Sequence, residues 1–133
     1  MNNKLIRQLA DFLVGPENNT GVEKNYWLIA RGTKNAPNAI SGASLNVSGT
    51  TANLCGQLAI MQNAPLLFSN EQPKVKTNEG ETYLRYWATA QLDIPDDFMG
   101  YYLSYNEWPD WAHQRWDRDG YADALAGVLR HSA

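Results

Sequence analysis

Glycine and proline cut this chain into short lengths, and that punctuation limits what it can fold into more than any other feature. Gly15-Pro16 closes the first amphipathic stretch, Gly32–Gly42 is dense in breakers, and Gly49, Pro65, Pro73, Gly80, Pro95 and Pro109 follow at intervals. Proline removes a backbone donor and glycine favours turns, so each interrupts a helix or strand. No run approaches the ~18 apolar residues a membrane span requires. There are no heptads, internal repeats or low-complexity tracts. What remains is a set of short elements in a single globular domain covering residues 1–133, an ordinary length for one core without staples.

Between the breakers, hydrophobic periodicity assigns the elements. Asn2 or Asn3 caps a first helix to about Val14, with Leu5, Ile6, Leu9, Phe12 and Leu13 on one face. Tyr26–Arg31 reads as a strand. Ala43–Ser48 alternates as a half-buried strand. Thr50 or Thr51 caps a central helix to about Asn63, which Pro65 stops. Pro65–Glu81 is a loop or an irregular edge strand. Thr82–Leu92 alternates over a long strand, with Leu84, Tyr86 and Ala88 facing the core and Tyr83, Arg85, Trp87 and Gln91 on the other side. Phe98–Tyr105 is a strand returning antiparallel to it. Two helices close the chain. The first starts at Asn106, with Pro109 in its first turn, and runs to about Asp117; the second is capped by Asp117 or Asp119. The pattern predicts an α+β fold: a small antiparallel sheet of about four strands with an N-terminal helix, a central helix and two C-terminal helices. The first helix is expected to pack on the sheet face carrying Leu84, Tyr86 and Ala88.

Charge and cysteine usage narrow the function. A formal charge of −3, with Lys and Arg scattered, argues against nucleic acid, whose phosphates demand a basic face. Cys55 is the single cysteine, so an intrachain disulfide and a thiolate cage for zinc are both excluded. The N-terminal stretch carries Lys4, Arg7 and Asp11 among its apolar positions and lacks the h-region of an export signal. A cytoplasmic location and no membrane partner are the expectation. Without export, the glycosylation-like Asn46-Val47-Ser48 has no meaning.

Six of the twelve Trp and Tyr residues fall within Tyr101–Trp116. Such a cluster is either the centre of a small core or a recognition surface. On the helix following Trp108, Trp108, Trp111, Ala112 and Trp116 share an apolar face. Arg115 lies on the same side, placed to stack on an indole, to snorkel, or to anchor a partner. Asp110, His113 and Asp117 share the opposite face, a spacing open to a metal ion or an acid–base pair. It is also the polar face any amphipathic helix has, and no metal is expected. On the other strand face, Tyr83, Arg85 and Trp87 form core edge if covered, or a platform for a planar ligand if open. Cys55 reads as a small buried hydrophobe. His131 has no visible partner, and Ser41-Gly42-Ala43-Ser44 lacks a nucleophile elbow.

No catalytic constellation or cofactor motif emerges. The residues therefore support a non-catalytic binding protein of the inhibitor, immunity or adaptor kind, of a type also carried by phages and mobile elements. Its partner is expected to be another protein, met through Trp111, Arg115, Tyr83, Arg85 and Trp87. The alternative is binding or turnover of a small anionic or planar ligand, a nucleotide or sugar, held by Arg31, Arg85 or Arg115.

Overall fold

The computed structural model describes residues 1–24, 29–30, 39–68 and 72–133. The first helix, α1, spans Asn3–Val14; the Asn2 side chain caps it by accepting from the Leu5 N–H at 3.2 Å, and Gly15 ends it. Its buried face is Leu5, Ile6, Leu9, Ala10 and Leu13, the spacing of an amphipathic helix.

Two small sheets follow. Strand β1 (Gly21–Val22) pairs in parallel with β4 (Thr50–Ala52), and β2 (Ile29–Ala30) pairs with β4 antiparallel. The expected strand Tyr26–Arg31 otherwise lies outside the described residues, as does most of Gly32–Gly42. The second sheet is antiparallel, ordered β3 (Ala39–Ser41), β5 (Pro65–Leu67), β6 (Lys74–Thr77) and β7 (Gly80–Tyr83). This is the four-stranded sheet of the expected α+β architecture, though several strands lie elsewhere than the sequence predicts. Ala43–Ser48 is not a strand: Gly42–Leu45 is a 3-10 turn, and the extended segment comes just before it. Within Pro65–Glu81, expected as a loop or an irregular edge strand, the described residues supply β5, β6 and the start of β7. The β6–β7 hairpin turns at Asn78-Glu79, where Gly80 adopts φ 122°, a conformation glycine takes without steric cost.

Helix α2 (Leu54–Met61) is capped by Asn53, not Thr50 or Thr51, which belong to β4; the Asn53 side chain accepts from the Gly56 N–H at 3.0 Å. Its fully buried Gln57 amide donates to Thr20 Oγ1 at 2.9 Å and to the carbonyls of Gly21 and Ala52 at 3.1 and 3.2 Å, and accepts from Asn18 at 3.0 Å. The side chain thus ties α2 to both β1 and β4 and leaves no polar atom of its own unsatisfied, as burial requires.

The largest departures are two helices where strands are expected. Strand β7 stops at Tyr83, and Leu84–Leu92 is helix α3, burying Leu84, Trp87, Ala88, Thr89 and Leu92. Asp96–Leu103 is helix α4, burying Met99, Tyr102 and Leu103. A 3-10 turn at Tyr105–Glu107 then leads through Pro109 into α5 (Asp110–Asp119). Gly120, at φ 103°, joins α5 to α6 (Tyr121–Ser132) and takes the N-cap place expected of Asp117 or Asp119. The buried residues form one apolar cluster drawn from every α-helix. Among the described residues, helix α1 packs chiefly on α6, with lesser contacts to α2 and α3, in place of the expected sheet face. Asp11 of α1 meets Arg130 of α6 at 2.9 Å on the surface of that contact. No described helix is long and apolar enough to cross a membrane.

Candidate functional site

Because 84–92 is helical, the residues expected on one strand face diverge. Successive helical positions rotate by about 100°, so Arg85 and Trp87 point away from one another, and Tyr83 remains on β7. The sequence-predicted flat platform is therefore not formed. In its place Tyr86, expected in the core, is 59% exposed, and Tyr83 is 38% exposed. Their rings stand edge to face at 71° with centroids 6.2 Å apart, a favourable aromatic geometry. The Lys74 ammonium lies 5.1 Å from the Tyr83 ring centre, within cation–π range. Beside Tyr86 runs an open groove of about 340 Å³ between the hairpin turn (Thr77, Asn78, Glu79) and α3, where Trp87 and Gln91 line it. Trp87 is buried at 9% exposure and forms part of the wall, not a protruding anchor.

Arg85 lies on the other flank. Its Nε is 3.1 Å from Asp96 Oδ1 and its Nη2 is 3.5 Å from Oδ2, an ion pair bridging α3 and α4. It borders a second cavity, also about 340 Å³, with Asn53, Cys55, Gln72, Pro73, Leu84 and Leu103. The Cys55 thiol sits 3.8 Å from the Met99 sulfur. Burial pushes its pKa from an ordinary 9.0 up to about 12, against the opposing effect of Arg85. A thiol so held is protonated at neutral pH and a poor nucleophile. No histidine lines this cavity, so the lining offers Cys55 no imidazole base.

Trp111 and Arg115 belong to a different surface, the α5–α6 contact. A methyl group at Gly127 of α6 would lie 2.8 Å from Arg115 Nη1 and 3.2 Å from the Trp111 ring, so both side chains lie directly over that glycine. Trp111 also meets the His131 ring at 5.1 Å. Arg115 Nε is 4.0 Å from Asp119 in place of the indole stacking considered from sequence. The two side chains stay substantially exposed, at 36% for Trp111 and 41% for Arg115. Trp108 is buried and donates its indole N–H to the Tyr101 carbonyl at 2.9 Å, a core role. Among the described residues no group of three or more His, Cys, Asp or Glu side chains is placed to hold a metal ion. The five sequence-predicted site residues thus fall on separate surfaces, and Tyr86 and Lys74 are the neighbours that sequence reasoning passed over. Helical spacing, which puts position 86 opposite 84 and 88, was the signal that would have exposed Tyr86. Compared with known proteins, the chain matches no family model, no curated protein and no solved structure.

Proposed function

We propose that this chain is a non-catalytic binding protein of the inhibitor, immunity or adaptor kind, acting in the cytoplasm, and that it meets a partner protein through the surface centred on Tyr86. The observation that supports this reading is the exposed Tyr83–Tyr86 pair beside a groove. Both rings rise from regular elements, so little side-chain entropy is lost on docking, and tyrosine is among the residues enriched at binding hot spots. The groove is open to solvent, better matched to a side chain of a protein than to an engulfed small molecule.

The test is capture of a partner from cells that express the protein, followed by affinity and melting measurements on variants. Tyr86→Ala is expected to weaken binding by about 1–2 kcal/mol or more, as interface anchors do. Its melting temperature should stay near that of the parent, because the ring contributes little to the core. A partner that binds Tyr86→Ala and Tyr83→Ala as tightly as the parent would overturn the assignment. The small-ligand reading draws on the cavity beside Arg85, where an anion would have to displace Asp96 from the guanidinium. A nucleotide or sugar that raises the melting temperature of the parent but not of Arg85→Ala would favour it.

A further inference from the structure

Lys24, exposed just beyond β1, directs its ammonium onto two aromatic rings. The nitrogen lies 5.6 Å from the Tyr105 ring centre and 5.3 Å from that of Trp116. Those rings are perpendicular, at 89°, with centroids 5.0 Å apart. Together they form two walls of a corner, and both faces present π-density to the same cation.

The corner belongs to a larger aromatic cluster. Tyr121 packs on the Trp116 ring at 5.1 Å and 65°, and stacks on buried Trp108 at 5.7 Å and 15°. The 3-10 turn, α5 and the first residue of α6 thus converge to hold the two walls. Glu23 places a carboxylate next to Lys24, accepting the Lys24 backbone N–H at 3.0 Å. Among the described residues the Lys24 ammonium makes no ion pair; the two rings are its contacts. A cation that settles on aromatic faces in a chain with fourteen Asp and Glu side chains reports what this corner attracts. Ring faces that hold an ammonium at this distance are the means by which proteins recognise alkylammonium groups.

We propose that the Tyr105–Trp116 corner is a binding site for an alkylammonium group, a lysine side chain or its methylated forms, and that Lys24 is its internal occupant and competitor. The ligand enters when Lys24 swings out, which its exposed position on the surface permits. This site is separate from the Tyr86 surface, and neither reading depends on the other.

The experiment follows the indole N–H signals by NMR in the full chain, with the Trp116 signal identified by its loss in Trp116→Phe. Tetramethylammonium chloride is titrated into the parent and into Lys24→Ala, with sodium chloride and tert-butanol as the ionic and neutral controls. The Trp116 signal of Lys24→Ala should move along a saturating curve, at a midpoint roughly tenfold lower than in the parent, a ratio matching the strength of one cation–π contact. Tyr105→Leu in the Lys24→Ala background should abolish saturation. Nα-acetyl-lysine methylamide as a second titrant then compares a primary with a quaternary ammonium, and the tighter of the two names the favoured source. If Lys24→Ala does not fold, Lys24→Gln keeps the aliphatic stem and carries the same test. A shift that is linear, that tert-butanol reproduces, or that is equal in the parent and the variant would overturn the proposal.

Discussion

Gly42 is where one residue's lack of a side chain decides whether two elements can meet. Its N–H donates to the Ala64 carbonyl at 2.7 Å, drawing the 3-10 turn against the end of α2. A methyl group there would run into the Ala59 carbonyl oxygen, with the carbonyl carbon at 2.8 Å. The obstacle is helix backbone and cannot rotate away, so Gly42→Ala should destabilise the protein by about 1–3 kcal/mol, the usual cost of overpacking. Gly100, within α4, is the contrasting case. A methyl there meets only the end of the Arg85 side chain at 3.7 Å, an ordinary contact. Gly100→Ala should therefore gain roughly 0.5–1 kcal/mol of helix propensity. Urea unfolding of both variants checks the pair, and effects of the same sign would show that space is not what distinguishes these sites.

At the scale of elements, what the sequence made legible depended on whether its pattern fitted one period or two. Helix α1 has apolar residues at helical spacing only, an Asn cap and a Gly-Pro stop, and it lies where those signals put it. The stretch 84–92 satisfied both periods. Leu84, Tyr86, Ala88, Ala90 and Leu92 alternate, but Leu84, Trp87, Ala88 and Leu92 also fall on one helical face, and that is the face buried. Its aromatic residues suit a strand, its Leu, Arg, Ala and Gln content suits a helix, and tertiary packing selects the helix. At 96–103, expected as part of a strand from Phe98, the sequence does carry helix-start signals: Pro95 precedes Asp96 and Asp97, whose charges suit a helix N-terminus. The candidate site inherited the error, since Tyr86 emerges on the surface only once 84–92 is helical. The expected position of α1 also changes, from a sheet face to α6, while its buried face keeps Leu5, Ile6, Leu9 and Leu13, gains Ala10 and leaves Phe12 partly buried. Leu9 is wholly buried, so Leu9→Ala should cost roughly 2–5 kcal/mol. A loss below about 0.5 kcal/mol, typical of surface sites, would show that the α1–α6 contact is peripheral to stability.

At the scale of the whole molecule, three groups among the described residues that ionise only in alkali are held protonated by the fold. Burial raises the Cys55 thiol to about 12 and also raises the phenols of Tyr102 and Tyr121, the latter with the help of the Glu23 charge. In each case the folded state binds its proton more tightly than the unfolded chain does. The resulting stability is complete below the unfolded pKa and is lost as pH rises toward the folded one. For Cys55 that window runs from pH 9.0 to about 12. Across it the unfolded thiol has released its proton and the folded one has not, so this group alone tilts stability by ~1.4 kcal/mol per pH unit. Removing the thiol removes that contribution. Cys55→Ala is expected to be less stable than the parent at neutral pH, because it leaves a void beside Met99 in the core. Its stability should nonetheless fall less steeply above pH 9, so that the two curves converge. Guanidinium unfolding at intervals from pH 7 to 11, under reducing conditions, measures both slopes. Parallel curves would mean that Cys55 ionises in the folded protein as readily as in water, and that the cavity beside Arg85 admits solvent to the thiol.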